Sequence, residues 1–246
     1  MINVSHNELI TQCTKAFEGL QRQCGEADMI ANMVVDLEMV GLNGVSHFVN
    51  ALHFLALEQD EAVYVEPVIN QQLTANLLGC SILCHLPNLL DFTIDNLANR
   101  SSIVLNITQC HHRWLAFSEL IKLAGKGLSV KAQWLNSSDY KQVVYILNAG
   151  QLLPELYIAN HKVTANELSS IMDLQSLSIE ISKKTLTFPF IKEDYQHLSS
   201  FDLQAAKQHA WKHGISIAVE HWQIIKHAAS ALLVESNEIS PLNENE

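Results

Sequence analysis

The chain has 246 residues, of which 48% are hydrophobic and 17% charged, and its formal net charge is −11. This composition predicts a globular protein with a sizeable core, and the negative charge argues against nucleic-acid binding, which requires clustered lysine and arginine. No apolar run reaches the roughly 18 residues that span a bilayer. The N-terminus has no basic segment followed by an apolar one, so we expect a cytoplasmic protein whose five cysteines are reduced thiols.

Helical patterns dominate residues 1–60. Ser5 and Glu8 form a capping-box pattern, which predicts a first helix over residues 6–19. Residues 25–59 then predict two apolar helices joined by a short corner, because hydrophobic residues recur there at helical spacing. We expect the rest of the chain to cover what these two helices bury.

A histidine follows this corner. Gly41 lies after the last apolar residue of the first helix, where a left-handed cap is typical, and Gly44 ends the corner. His47 then falls in the first turn of the next helix, where the helix dipole disfavours added positive charge. This position favours a neutral imidazole that can accept a proton or bind a ligand. The commoner role of such a histidine is a polar residue bonded to the backbone at a helix edge, and both interpretations stay open.

Residues 61–198 predict a central mixed sheet with helices between its strands. Strand patterns cover residues 62–66, 102–108, 128–134, 142–147, 152–159 and 177–182, and residues 185–191 form a strand or a loop. Helix patterns cover residues 71–84, 91–99, 114–126 and 164–173. We expect Pro87 to stop the first of these helices. The strand, helix and strand over residues 102–134 predict a parallel crossover unit.

The C-terminal part is predicted to be helical. Ser199 or Ser200 caps a helix that Gly214 ends, and a second helix covers residues 216–234. Residues 235–246 are acidic and polar and are expected to fray.

The predicted fold class is therefore α+β, a mixed α/β arrangement in which a central mixed sheet lies between helical N-terminal and C-terminal segments. No linker rich in glycine, proline or serine divides the chain, so we predict a single domain. Its parts are a helical unit over residues 1–60, the central α/β part over 61–198, the C-terminal helices over 199–234 and the tail over 235–246.

Cysteine and histidine are concentrated in two short segments. The first holds Cys80, Cys84 and His85, and the second holds Cys110, His111 and His112. Zinc prefers four such ligands in a tetrahedron, so the two segments would form a site if the fold brought them together. The cysteines also lie among leucines, where cysteine serves as a small buried hydrophobe, and this second interpretation favours no metal. His209 and His213, one helical turn apart, are interpreted as part of a solvated face.

A basic segment follows the strand predicted over residues 102–108. Ligands often bind at the carboxyl ends of strands in α/β sheets. His112 and Arg113 are therefore candidates for binding the carboxylate of a small ligand. The sequence contains no glycine-rich nucleotide loop, no phosphate loop and no Gly-x-Ser-x-Gly elbow.

The segment from Gly41 to His47, GLNGVSH, resembles the Gly…Ser-His-Gly segment of the malate/L-lactate dehydrogenase family of the non-Rossmann type. In that family the histidine is the acid/base in the reduction of a 2-oxo or imino acid by a nicotinamide cofactor. The resemblance implies this catalytic role for His47, with NAD(P) as the cofactor. Phe48 stands where that family has a glycine.

A second resemblance extends over nearly the whole chain. A late tryptophan, Trp222, precedes Ala-Leu-Leu-Val-x-Ser at residues 231–236, and the chain opens with a Ser-x-Asn-Glu helix start. These positions resemble an uncharacterised bacterial domain family of unknown function. That resemblance implies no activity.

Two functional hypotheses follow. In the first, the protein is a metabolic enzyme acting on a small carboxylate, or a degenerate relative of malate/lactate-dehydrogenase-type oxidoreductases, with His47 as acid/base and His112 or Arg113 as carboxylate anchor. In the second, it is a non-catalytic binding or scaffold protein, a homodimer formed through an apolar helix face.

Overall fold

The computed structural model describes residues 1–22, 25–59, 61–163, 174–190 and 192–235. The N-terminal helices are α1 His6–Glu18, α2 Ala27–Met39 and α3 Gly44–Leu55. They confirm the helical unit predicted for this part of the chain. The Ser5 side chain accepts a hydrogen bond from the Glu8 amide at 3.2 Å, as the capping pattern predicts.

The second helix lies at the centre of the helical layer. Ile30, Met33, Val34 and Leu37 of α2 are fully buried, and the helix contacts both α1 and α3. Its apolar side chains belong to one continuous core that extends under the central sheet. Burial of this stripe stabilises the folded protein by about 1.5–3 kcal/mol for each large apolar side chain. This explains why the helix forms although its N-cap residue, Glu26, makes no side-chain cap hydrogen bond.

The corner between α2 and α3 is built for close approach. Gly41 has a φ of +79°, the left-handed conformation expected at this cap. A Cβ added to Gly44 would lie 2.1 Å from the Val34 carbonyl oxygen, so only glycine lets α3 start this close to α2. The Glu38 carboxylate accepts from the Val45 amide at 2.8 Å and thereby satisfies a donor of the first turn of α3. These contacts determine where the next residues of α3 point.

The central layer is a mixed eight-stranded sheet within the described residues, in the order β2-β3-β4-β8-β5-β6-β7-β9. The strands are β2 Tyr64–Val65, β3 Gln72–Asn76, β4 Ser102–Thr108, β5 Ser129–Leu135, β6 Gln142–Leu147, β7 Glu155–Ala159, β8 Leu177–Ser182 and β9 Tyr195–Leu198. The pair β3–β4 is parallel and the other neighbours are antiparallel. This sheet between helical segments confirms the predicted α+β class.

The predicted crossover unit is present with one strand inserted. β4 and β5 both pair antiparallel with β8, which lies between them, so β4 and β5 run parallel to each other. Helix α5 Phe117–Gly125, preceded by a short 3₁₀ turn at Arg113–Ala116, connects the two strands. The register places Ile103, Ile181 and Val130 side by side in the core.

The helix predicted over residues 71–84 is wrong. Residues Gln72–Asn76 form β3, because Leu73 and Ala75 pair beside Leu105 and Ile107 of β4 in a fully buried row. β3 alternates buried Leu73 and Ala75 with more exposed polar residues, and this five-residue pattern is too short to separate from the apolar residues that follow it.

The helix that follows begins later and runs further than predicted. Helix α4 Ile82–Leu97 starts at the Ser81 cap and passes through Pro87, which was expected to stop it. Proline removes one backbone donor and strains the preceding turn, at a cost of about 3 kcal/mol. The helix continues because Leu86 and Leu90 on either side of the proline are buried in the core.

A strand at the N-terminus pairs with a strand between the two C-terminal helices. Strands β1 Ile2–Val4 and β10 Ile215–Ile217, which the sequence did not predict, form a two-stranded ribbon. Helix α6 Ser200–His213 begins at a Ser199 capping box, and α7 Val219–Glu235 packs on α1. The helix predicted over 164–173 and the tail from residue 236 lie outside the described residues. No described helix is both long and apolar enough to cross a membrane.

Candidate functional site

The predicted site residues line one pocket of about 270 Å³. His47, His112 and Arg113 are all part of its wall, together with His111. The remaining lining residues are Asn50, Trp114, Trp134, Asn136, Ser137 and Ser138. Among these described lining residues none is acidic, so the pocket suits a neutral or anionic ligand better than a cation.

Three segments meet at this pocket. His47 comes from the first turn of α3, residues 111–113 follow β4, and residues 136–138 follow β5. Because β4 and β5 run parallel, their carboxyl ends lie at the same edge of the sheet, which is the usual ligand-binding edge in α/β folds. The N-terminal end of α3 closes the pocket over this edge.

His47 is half-buried and held in its turn. Its amide donates to the Asn43 carbonyl at 3.1 Å, and its ring stacks on Trp114 with centroids 6.0 Å apart and an interplanar angle of 22°. Burial lowers the pKa of the imidazole to about 4. The ring is therefore neutral near pH 7, and the cause is burial rather than the helix dipole from which the sequence argument started. His47 also borders a second cavity of about 300 Å³ together with Glu38 and His221.

His112 is joined to the cap of α4. Its Nδ1 lies 2.9 Å from the Ser81 hydroxyl, and that hydroxyl accepts from the Leu83 amide at 3.3 Å. Burial, and then the neighbouring His111, His47 and Arg113, lower the pKa of His112 to about 3. Its φ of +62° is a left-handed conformation that is costly for a residue with a Cβ. The surroundings thus hold this ring in a fixed and neutral state.

Arg113 forms part of the pocket wall from a buried position. Its guanidinium donates to the Cys110 carbonyl at 2.7 Å, to the Leu135 carbonyl at 3.0 Å and to the Ser137 hydroxyl. These acceptors lie after β4, at the end of β5 and in the turn after β5. Arg113 therefore ties the two strand ends together and also places a positive charge at the pocket.

His111 connects this pocket to the other cysteine-rich segment. Its amide donates to the Cys80 carbonyl and its carbonyl accepts from the Ile82 amide, each at 3.2 Å. Its ring contacts Phe54 with centroids 4.7 Å apart. Burial is the main cause that lowers the pKa of His111, with Arg113 adding to it. The two Cys/His segments therefore do approach each other, through a backbone bridge.

The helix predicted over residues 71–84 would have put Cys80 and Cys84 one turn apart on the same face. The structure separates them, because Cys80 belongs to the turn after β3 and Cys84 lies in α4. A group of possible metal ligands within the described residues consists instead of Glu58, Cys80 and His85. Glu58 was not predicted as a site residue, because nothing in the sequence sets it apart from the other charged residues near helix ends. The contact between Ser81 and His112 was not predicted either, because the two residues lie 31 positions apart.

Comparison with known proteins agrees with both resemblances. Residues 4–78 match the family described as "Protein of unknown function (DUF3726)". No curated protein matches the sequence.

Several solved structures share the fold at low sequence identity. A dehydrogenase from Sinorhizobium meliloti has a TM-score of 0.68 at 10% identity, covering 93% of this chain and 99% of that chain. Malate dehydrogenase from Entamoeba histolytica has a TM-score of 0.65 at 9% identity, covering 99% of each chain. Delta1-piperideine-2-carboxylate reductase from Pseudomonas syringae pvar. tomato has a TM-score of 0.62 at 12% identity, covering 93% of this chain and 100% of that chain. At such identities the likeness establishes the fold alone.

Proposed function

We propose that this protein binds a small carboxylate in the 270 Å³ pocket and that His47 exchanges a proton with the bound ligand. The observation that carries the proposal is the convergence of His47, His112 and Arg113 on one pocket without an acidic lining residue. Two neighbours of the same fold are named for malate and for a cyclic imino carboxylate, each an acid of small size. The proposed ligand class is therefore a 2-oxo, 2-imino or 2-hydroxy carboxylate.

The hydrogen bonds around His112 suggest how the carboxylate is held. The Ser81 hydroxyl accepts from the Leu83 amide, so its own proton is available to Nδ1 of His112. With Nδ1 acting as the acceptor, the ring carries its proton on Nε2 and becomes a donor. A donor of this kind beside the positive charge of Arg113 matches a carboxylate group.

His47 would act on the other end of the ligand. A neutral imidazole accepts a hydrogen bond from a 2-hydroxyl group or takes the proton of a protonated 2-imino group. The imidazolium returns that proton to the imine nitrogen, or donates a hydrogen bond to a 2-oxo oxygen. The pKa of His47 is about 4 in the ligand-free protein. An anion bound in the pocket would raise this pKa, because it stabilises the imidazolium. Ligand binding would therefore be coupled to proton uptake.

The nicotinamide cofactor that the resemblance implies does not fit inside this pocket. Pockets for drug-sized ligands occupy about 300–1,000 Å³, and a dinucleotide is larger than such ligands. The volume of about 270 Å³ accommodates a small acid with little space left. The proposal is accordingly limited to carboxylate binding and proton transfer, and no hydride step is assigned to these residues.

Isothermal titration with a panel of 2-oxo and 2-hydroxy acids tests the proposal on the full chain. We expect at least one acid to bind, and His47→Gln and His112→Gln to weaken its Kd by about 10- to 100-fold, the value of a hydrogen bond to a charged group. His53→Gln is the matched control, because His53 is an exposed residue of the same helix. It should leave Kd within about twofold.

Several outcomes distinguish the hypotheses. Absence of binding by every acid at millimolar concentration refutes the proposal. Binding that His47→Gln does not weaken refutes the role of that residue. Two absent reactions would favour the non-catalytic alternative: reduction of a bound 2-oxo acid by NADH or NADPH, and oxidation of a bound 2-hydroxy acid by NAD⁺ or NADP⁺. A dimeric mass in solution would support its homodimeric form.

A further inference from the structure

A second cluster of side chains lies next to this pocket, where three segments meet. Glu58 follows α3, Cys80 ends the turn after β3, and His85 lies near the start of α4. One ligand atom of each residue, a carboxylate oxygen, a sulphur and an imidazole nitrogen, lies within 4.8 Å of the others. We propose that Glu58, Cys80 and His85 form a zinc-binding site with three protein ligands. Thiolate, imidazole and carboxylate are the side-chain ligands that zinc takes.

The distances require only a small adjustment. Zinc lies about 2.0–2.3 Å from its ligand atoms, so the ligand atoms of a tetrahedral site are roughly 3.3–3.7 Å apart. The observed separations of up to 4.8 Å exceed this range by about 1 Å. Rotation of the Glu58 and His85 side chains, which project from helix ends, can supply such a shift without moving the backbone.

Neighbouring groups already orient the Glu58 carboxylate. Arg22 donates to its Oε1 at 3.2 Å, and the Ser81 amide donates to its Oε2 at 3.3 Å. Arg22 also donates to the Leu55 carbonyl at 2.7 Å, which fixes the guanidinium at the end of α3. An ionised carboxylate has about four acceptor positions, so these two bonds leave room for a metal. Supporting contacts of this kind are typical of metal ligands.

The charge of the group also suits a divalent cation. The Cys80 thiol donates a hydrogen bond to the Gln59 carbonyl, with the sulphur and the oxygen 3.8 Å apart, so it carries a proton in the metal-free protein. A coordinated thiol loses its proton to the solvent, so zinc binding replaces one S–H bond by a metal–sulphur bond and releases one proton. The thiolate and the carboxylate then offset the two charges of the ion, and the guanidinium of Arg22, paired with Glu58, leaves the whole group with one positive charge.

The site would keep one coordination position open. His85 lies at the wall of two cavities of about 440 and 360 Å³, the first lined also by Glu61 and Phe92 and the second by Glu26. A zinc ion with three protein ligands holds water or a further ligand in its fourth position. Of the three proposed ligands only His85 lines these cavities, so a fourth ligand would approach the metal from the His85 side.

Cobalt titration of the purified, metal-stripped full chain tests the site. We expect one equivalent of Co²⁺ to produce a sulphur-to-metal charge-transfer band in the near ultraviolet, and Zn²⁺ to abolish it by competition. Cys80→Ser should remove the band, and His85→Gln should weaken zinc binding by more than about 100-fold, beyond the 10- to 100-fold loss of a supporting partner. Cys84→Ser is the matched control, because this buried cysteine precedes His85 in the same helix and should retain the band.

Three results would overturn the site: no band, a band that Cys80→Ser retains, or a band that Cys84→Ser removes instead. X-ray absorption at the zinc edge of the unsubstituted chain gives a second test that does not depend on how the variants fold. One sulphur neighbour with nitrogen and oxygen neighbours supports the site, whereas an all-nitrogen and oxygen shell refutes it. Both experiments are independent of carboxylate binding.

Discussion

Lowering the pH should destabilise this protein through two buried histidines. The pKa values of His47 and His112 are about 4 and about 3, below the ordinary 6.5 of the free side chain. Both rings bind a proton more readily in the unfolded chain. Their contribution to stability is therefore full above pH 6.5 and is lost as the pH falls through 6.5 toward the folded values.

The size of the loss follows from the two pKa values. At pH 5 the unfolded chain has almost fully protonated both residues and the folded chain has protonated neither. Between pH 6.5 and pH 5, the unfolding free energy falls by about 1.36 kcal/mol per pH unit for each ring that only the unfolded chain protonates. Each residue therefore lowers the unfolding free energy by about 2 kcal/mol at pH 5. Together they account for about 4 kcal/mol, a large part of the stability of an ordinary domain.

Urea unfolding at pH 8 and pH 5 measures this loss. Other titrating groups also contribute to the pH dependence, so the informative quantity is the difference between variants. His47→Gln and His112→Gln should each reduce the drop in unfolding free energy between the two pH values by about 2 kcal/mol. His53→Gln, with an exposed ring on the same helix as His47, should leave the drop unchanged. Equal drops in all four proteins would refute the assignment of these rings as buried and neutral.

Two further substitutions test the local structure around the pocket by the same unfolding measurement. Gly44→Ala should lower the unfolding free energy by about 3 kcal/mol, because the new Cβ meets the α2 backbone at 2.1 Å. Gly125→Ala is the control: nothing lies within 4 Å of its new Cβ, so the unfolding free energy should not fall. Equal effects would contradict the close approach at the corner. Ser81→Ala should lower the unfolding free energy by about 2 kcal/mol, since it removes both a helix cap and the hydrogen-bond partner of His112. Ser5→Ala removes only an exposed helix cap and should lower it by about 1 kcal/mol. Similar costs would argue against the bond between Ser81 and His112.

The similarity to dehydrogenase structures at about 10% identity has a physical basis. A fold requires apolar residues at the correct periodicity and volume, and many sequences meet that requirement. Chemistry requires particular side chains at particular places. The likeness therefore shows the fold alone, and the carboxylate titration tests the ligand directly.

The place of His47 in the first turn of α3 was accessible from the sequence because its causes are local, whereas the burial that lowers its pKa depends on the tertiary structure. Gly41, Gly44 and the apolar stripe of α2 define a corner within a few residues, and the histidine follows it directly. The strands at Ser102–Thr108, Gln142–Leu147 and Leu177–Ser182 were likewise predicted with their observed bounds, since a short run rich in β-branched apolar residues is a property of consecutive positions.

What the sequence by itself determined is most of the helices, several of the strands and the residues with useful chemistry, because helix caps, periodicity and side-chain type depend on near neighbours. Only the tertiary structure decided that β8 inserts between β4 and β5, that residues 71–84 contain a strand, and that Glu58 joins Cys80 and His85. Those outcomes depend on which distant segments bury one another's surfaces. Pairing of this kind is settled by the packing of the whole chain, and no short stretch of residues carries it.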